Sequence, residues 1–449
     1  MQRVSRFGLI PLMCLMMMVL IVPARAADVI KIGVIGPMQF NQGTNIWNGA
    51  EMGADEINAK GGIKVGHKKM EIELFQADSK EFTAHPAVSA KVMEELITRD
   101  KVNFVIGGFR SEAVLAMQDV AMNHKVLFFG VGAADPELCD RVVKNYDRYK
   151  YWFRCSPQDS RDLTKAAFLQ LSGVAALLKQ RLKLDRTKVA ILAEKAMWAN
   201  SMVKAAEVFI PKMGMEVAGT WRCSANAKNV TPELTAIRES RAHIILTALS
   251  GPVGITVSKE AGEMKIPAVQ VGINVESAKD SFWRSTDGMA NYAMALNNYV
   301  HGVEYNELTA PFVEGYYKRF GELPMYTANS YAVITCHLKN AIEAAGTLNA
   351  ERLIPQLEKE VVKTPDGVDA FKKDEQGRQT HSIRFGPGYT TALGVQWQDG
   401  KMVAVWPHFK WMSPCWEFSA QPPDKPNKMS YKGLEPFIIP PWMVAAYKK

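Results

Sequence analysis

The 449-residue chain is 47% hydrophobic and 22% charged, ordinary globular usage that excludes a disordered, collagenous or coiled-coil protein. At roughly 100–200 residues per domain, two or three domains are expected, each with enough chain for a core. The formal net charge of +8 is spread along the sequence with no Lys/Arg run interleaved with aromatics, which argues against nucleic-acid binding.

Arg3 and Arg6 precede an apolar run over 9–22, and Ala24-Arg25-Ala26 puts small residues where a signal peptidase reads. Basic start, short apolar stretch and small-x-small site together indicate a secretory signal peptide over 1–26. The run falls short of the ~20 residues that span a bilayer. Cys14 follows Leu12 and Met13 and is succeeded by more apolar residues, unlike an acylated lipoprotein cysteine. Cleavage removes three arginines and no acid, so the mature chain is expected at net charge +5. It has no later segment apolar enough to cross a membrane, and is expected soluble in an extracytoplasmic compartment.

The mature sequence opens with a β-branched strand at 29–35, broken by Gly36-Pro37. A helix is predicted over 46–59, stopped by Gly61-Gly62. Then come a strand at 70–76, a helix at 88–97, a strand at 102–106, a helix at 111–123 and a strand at 126–131. The stretch 146–157 and a helix over 162–179 read as a crossover. The alternation then restarts, with strands at 188–192, 216–221, 243–248 and 268–271 and helices at 201–213, 234–240 and 255–264. Strands alternating with helices imply parallel sheets covered on both faces. Helices follow at 309–320, 328–345 and 350–359. The segments 385–397 and 402–406 read as a hairpin turning at Asp399-Gly400. The last ~40 residues, rich in Pro and Trp, show no clear period. The fold class is α/β, with two doubly wound parallel-sheet lobes.

Ligands of open α/β sheets sit at the carboxyl ends of the strands where strand order reverses. Three loops fall there in the first half, at 36–43, 107–111 and 130–135. Two lead into helix starts, whose free N–H groups suit a carboxylate. Ser111 can contact a ligand there or simply cap its helix. No dinucleotide fingerprint, phosphate loop, nucleophile elbow or metal-binding histidine pair occurs, so no catalytic residue, cofactor or metal is expected. Five cysteines follow the signal. In an oxidising compartment Cys139 with Cys155 is the first candidate disulfide, the alternative being five buried thiols.

The string Lys31-Ile-Gly-Val-Ile-Gly-Pro37, then Gly49-Ala-Glu51 and Glu56-Ile-Asn-Ala-Lys-Gly-Gly-Ile63, resembles the start of periplasmic leucine/isoleucine/valine-type binding proteins. Val105-Ile-Gly-Gly108 with Ser111, and Gly132-Ala-Ala-Asp-Pro-Glu-Leu138, continue the likeness in order and spacing. It runs more loosely to about Trp406. The resemblance implies a type I solute-binding protein of an ABC transporter, a monomer of two lobes joined by a three-crossing hinge that closes on a small molecule and passes it to a membrane permease. Lobe one is then 28–153 with 296–385, and lobe two 154–295 with 386–449, including an irregular tail.

Carried over residue by residue, the resemblance puts the ligand carboxylate on Ser111, Gly132 and Ala134, where amino-acid binders more often have Thr at the last position. Trp198 takes the place of the second lobe's aromatic wall, and either stacks on the ligand or belongs to core or rim. The acid that meets an α-ammonium falls at Asn274, with Glu276 two residues on. Gln42, with Gln39 nearby, stands at a first-lobe aromatic position. Arg110 favours an anion if it points into the cleft, the alternative being a surface or interlobe salt bridge. A buried ammonium without a carboxylate costs several kcal/mol, so an organic acid or amide is at least as well suited as an amino acid. Two other classes stay open: a sensor feeding a separate receptor, and an exported α/β enzyme.

Overall fold

The computed structural model describes residues 29–386, 388–406 and 434–447. The signal peptide, Cys14, Cys415 and most of the Pro/Trp-rich tail lie outside the described residues.

Strand Ile30–Gly36 is buried on both faces because helices cover both sides of its sheet. It lies between strand Ile72–Asp78 and strand Phe104–Gly107. Beyond the latter come Leu127–Gly130, Trp152–Arg154 and Gln379–Ile383, all parallel. Two antiparallel strands, Gly367–Lys373 and Val361–Thr364, complete this eight-stranded sheet. A second, parallel sheet orders Val269–Asn274, Ile244–Leu249, Lys188–Glu194 and Glu216–Cys223. A third, antiparallel, joins Met294–Asn297, Leu393–Gln398 and Lys401–Trp406. The chain passes between the first sheet and the other two three times, over 155–159, 298–308 and 384–392.

The alternating elements match the expected order, and the helices over 111–123 and 309–320 match to the residue. The hairpin also forms, with Asp399 and Gly400 at φ 47° and 86°, the turn that Asp-Gly favours. Other elements differ. Helix Asn41–Ala59 begins five residues earlier than its apolar spacing indicates, because its first turn is polar and includes Gly43. The predicted helix over 328–345 is a succession of 3₁₀, α and π turns between Tyr326 and Ala345. The three strands between 361 and 383 were not expected. Their buried faces carry Asp369, Thr380, His381 and Ser382, so they lack the apolar signal of a core strand. Part of the tail is regular after all: Pro441–Tyr447 is a helix, whose Trp442 indole donates to Ile266 O at 2.9 Å.

The candidate disulfide is absent. Cys139 and Cys155 are separate buried thiols. Cys139 lies in helix Glu137–Lys144 with its Sγ directed at the His381 carbonyl, 3.8 Å away. Burial pushes the Cys155 thiol well above its ordinary value. The alternative of buried thiols holds for both residues. Among the described residues no helix is long and apolar enough to cross a membrane.

Candidate functional site

In both parallel sheets the order reverses beside the strand that comes first in the chain. The reversals lie between Ile30–Gly36 and Phe104–Gly107, and between Lys188–Glu194 and Ile244–Leu249. Helices leave to opposite faces there, opening a crevice at the strands' carboxyl ends. Residues following these ends meet across the cleft and enclose about 650 Å³ of space, open mouth included. The walls are apolar, with Phe109, Leu163, Trp198, Ile273, Leu296 and Tyr326 prominent.

Arg110 and Glu194 join the two reversal points. Arg110 Nη1 lies 3.1 Å from Glu194 Oε1, while its Nε and Nη2 reach Glu112 Oε1 at 3.0 and 2.8 Å. Of the two alternatives for Arg110, the structure has the interlobe salt bridge, at the cavity wall. Glu194, fully buried, also accepts from the backbone N–H groups of Ser250 and Gly251 at 2.8 and 2.7 Å, from the Ser250 hydroxyl, and from the Trp198 indole at 3.2 Å. A carboxylate buried at a strand end is tolerable only with such a set of donors. The same indole donates to Ser250 Oγ at 3.1 Å, so Trp198 is held by its polar edge beside the cavity.

The loop 107–111 is also engaged from within. The N–H groups of Phe109 and Arg110 donate to the Glu81 carboxylate, which takes a further bond from Ser79 Oγ at 2.6 Å. Burial pushes Glu81 up, against the pull of these donors and of the Arg110 charge, to about 7. Two N–H groups expected to face a ligand anion therefore face a carboxylate of the protein.

Ser111 neither caps its helix nor lines the cavity. Arg110 holds the cap position, and Ser111 Oγ accepts from Asp135 N at 3.2 Å. Gly132 and Ala134 do line the cavity, and among the described residues their N–H groups have no protein acceptor. A Cβ on Gly132 would stand 2.3 Å from Gly108 O, so only glycine lets the two loops pack this closely. Asn274 turns away, its Nδ2 donating to Gly254 O at 3.0 Å and Ser258 Oγ at 3.2 Å. Glu276 pairs with Lys279 at 2.7 Å and accepts from Gln42 Nε2 at 2.7 Å. Gln42 also donates to Ser250 O at 3.1 Å, so it clasps the cleft rather than lining it. Gln39 is exposed and bonded to Asp78.

Glu81, Glu194, Ser250, Asn298 and Tyr326 also stand at or beside the cavity, outside the residues expected from the sequence. Only Glu194 left a signal, an acid closing the apolar run of strand Lys188–Glu194 at a carboxyl end. The Asn297 amide is engaged at both ends, with Tyr299 O and Asn298 N. Asn298 borders the cavity, with its Nδ2 donating to Asp366 Oδ2 at 2.9 Å.

The periplasmic binding protein family model matches residues 29–387. A Leu/Ile/Val-binding protein homolog 7 of Brucella abortus (strain 2308) is 24% identical over 397 residues, which is 86% of this chain and 93% of that protein. Among solved structures, the branched-chain amino acid substrate-binding protein LivJ of Streptococcus pneumoniae in complex with isoleucine superposes with a TM-score of 0.66 at 20% identity, covering 84% of this chain and 98% of that one. A solute-binding protein of R. palustris in complex with benzoate gives 0.65 at 16% identity, covering 84% and 95%. At such identities the likeness shows a shared fold of two α/β lobes. The family and these neighbours are binding proteins rather than enzymes.

Proposed function

Because the chain belongs to the periplasmic binding proteins, we propose that it captures a small, largely apolar acid or amide between its lobes and hands it unchanged to an ABC transporter permease. It does so as a periplasmic monomer freed from its signal peptide, with 28–153 plus 296–385 as one lobe and 154–295 plus 386–449 as the other. The observation that carries this is the apolar cavity where the two strand-order reversals face each other, clasped by Arg110–Glu194 and by Gln42.

The committed polar groups narrow the ligand. An α-ammonium needs a carboxylate partner. Glu194 and Glu276 are engaged with protein donors, and Asn274 faces away. A ligand oxygen is better served, by the N–H groups of Gly132 and Ala134 at the cavity wall. An aromatic or branched acid, or its amide, fits both conditions. Benzoate in the R. palustris protein is a precedent on this fold, and isoleucine in the Streptococcus pneumoniae protein is the competing one.

A thermal-shift comparison of the mature protein with benzoate, benzamide, isobutyrate, leucine and isoleucine tests the assignment. A ligand at about 100 times its dissociation constant stabilises the fold by roughly 2.7 kcal/mol. Shifts are expected with acids or amides and not with the amino acids. Shifts confined to leucine or isoleucine would overturn the ligand class and leave capture standing. Loss of a bound acid with time would instead favour an exported enzyme.

A further inference from the structure

The loop 130–135 is held by its carbonyls. Tyr326 Oη donates to Gly132 O at 3.5 Å and Ser160 N to Ala134 O at 2.7 Å. Arg154 Nη1 donates to both Ala133 O and Asp135 O, at 3.4 and 2.9 Å. The 133–134 peptide is trans, so its C=O and N–H point opposite ways. The arginine that fixes the Ala133 carbonyl therefore aims the Ala134 N–H away from itself. Ala134 lines the cavity, and its N–H has no protein acceptor among the described residues.

Arg154 itself lies behind this loop, fully buried and outside the cavity wall. It ends strand Trp152–Arg154, opposite Gly130 of the neighbouring strand. Trp152 covers Gly130, where a Cβ would stand 2.2 Å from the indole. Arg154, two residues on and on the same face, reaches past the strand end to the loop. Its Nε and Nη2 have no hydrogen-bond partner, and it makes no ion pair among the described residues. Two carboxylates feel its charge without bonding to it. Burial would raise Asp159, but Arg154, Lys372 and Arg161 hold it well below the usual carboxylate range, and it bridges the latter two at 3.1 and 3.2 Å. Asp135 Oδ1 accepts instead from Glu137 N at 2.9 Å. A buried guanidinium this short of acceptors is costly unless another negative charge comes near. An acceptor bonded to the Ala134 N–H stands roughly 8 Å from Arg154 Nη1, across apolar surroundings that screen little.

We propose that Arg154 is a positioning residue that makes the cleft read charge, so that it takes a carboxylate in preference to the matching amide. The guanidinium turns the 133–134 peptide toward the ligand and adds its own field along that N–H. A carboxylate gains from both effects, and a neutral amide oxygen gains chiefly from the first. The proposal rests on capture of an acid or amide between the lobes, and narrows it to the acid.

The experiment is calorimetry of the mature chain with matched pairs: benzoate and benzamide, isobutyrate and isobutyramide, leucine and leucinamide. For the pair that binds, the acid is expected to bind about tenfold or more tighter than its amide. Arg154→Gln should bring that ratio below about threefold. Arg154→Lys keeps the charge without the fork, and should keep the preference while weakening both members. If Arg154→Gln does not fold, the parent and Arg154→Lys carry the test, together with the amide spectrum of the ¹⁵N-labelled parent. There the Ala134 proton should move downfield with the acid and less with the amide. Equal binding of acid and amide by the parent would overturn the proposal and leave capture of either standing. Binding of the leucine pair alone would overturn the ligand class, and its acid-to-amide ratio would still test Arg154. An unchanged ratio in Arg154→Gln, equal weakening of both members there, loss of the preference in Arg154→Lys, an unmoved Ala134 proton, or a parent that binds no pair would each overturn the proposal.

Discussion

Glu194 satisfies donors from two strand ends and from the opposite lobe with one carboxylate, so its removal exposes every one of them at once. Glu194→Ala leaves Arg110 with Glu112 alone and strands the buried N–H groups of Ser250 and Gly251. Breaking a buried pair from one side costs about 3–5 kcal/mol, so a loss of that size in urea unfolding is expected. Glu194→Gln, which keeps an acceptor oxygen, should lose less. Equal stability of the alanine variant and the parent would mean that the cluster is solvated in solution. Glu81 acts in the opposite sense. With its folded value raised from the ordinary carboxylate value to about 7, the native state binds an extra proton between those limits. Its contribution therefore falls as pH rises through that interval and stays low above it.

The segment from Tyr326 to Ala345 shows what an apolar period misses. The sequence reads it as one helix, but its middle is a π turn over Val333–Leu338. Such widened turns occur largely at functional sites. This one holds His337 between Glu360 and Asp369. Burial disfavours the imidazolium, but the two carboxylates outweigh it and push His337 up to about 10. Because the folded value lies above the unfolded one, the stabilisation is complete below about pH 6.5 and is lost as pH rises through about 10. Urea midpoints of the parent should fall steadily from pH 7 to about 10. His337→Gln should start lower and change less over that interval. Parallel curves for the two proteins would remove His337 as the cause.

At the scale of the whole molecule, Gln42 carries bonds from helix Asn41–Ala59 to the residues that follow two strands of the second sheet. Its Nε2 donates to Ser250 O and Glu276 Oε1. Hydrogen bonds to charged groups contribute about 1.5–3 kcal/mol, and 1.4 kcal/mol is tenfold in affinity. Gln42→Ala is therefore expected to weaken ligand binding about tenfold or more by calorimetry, with little change in the unfolding midpoint of the unliganded protein. A large fall in that midpoint would make Gln42 a core residue instead of a clasp.

Much of this protein is written locally. The buried apolar runs at 30–36, 104–107 and 188–194, the helices between them and the Asp399-Gly400 turn follow from periodicity and turn chemistry within short windows, and they suffice for two α/β lobes. The loop 130–135 was legible as a strand's carboxyl end, and the family resemblance singled out Gly132 and Ala134 within it. The tertiary structure alone decided the rest. The polar strand Gly367–Lys373 is a core strand only because the connections it touches supply partners for Asp366 and Asp369. Arg110, at the cavity wall, meets Glu194 because a strand 84 residues away delivers that carboxylate. Where a residue's role depends on a charge or donor brought from afar, no local pattern encodes it, and only the folded chain pairs the two.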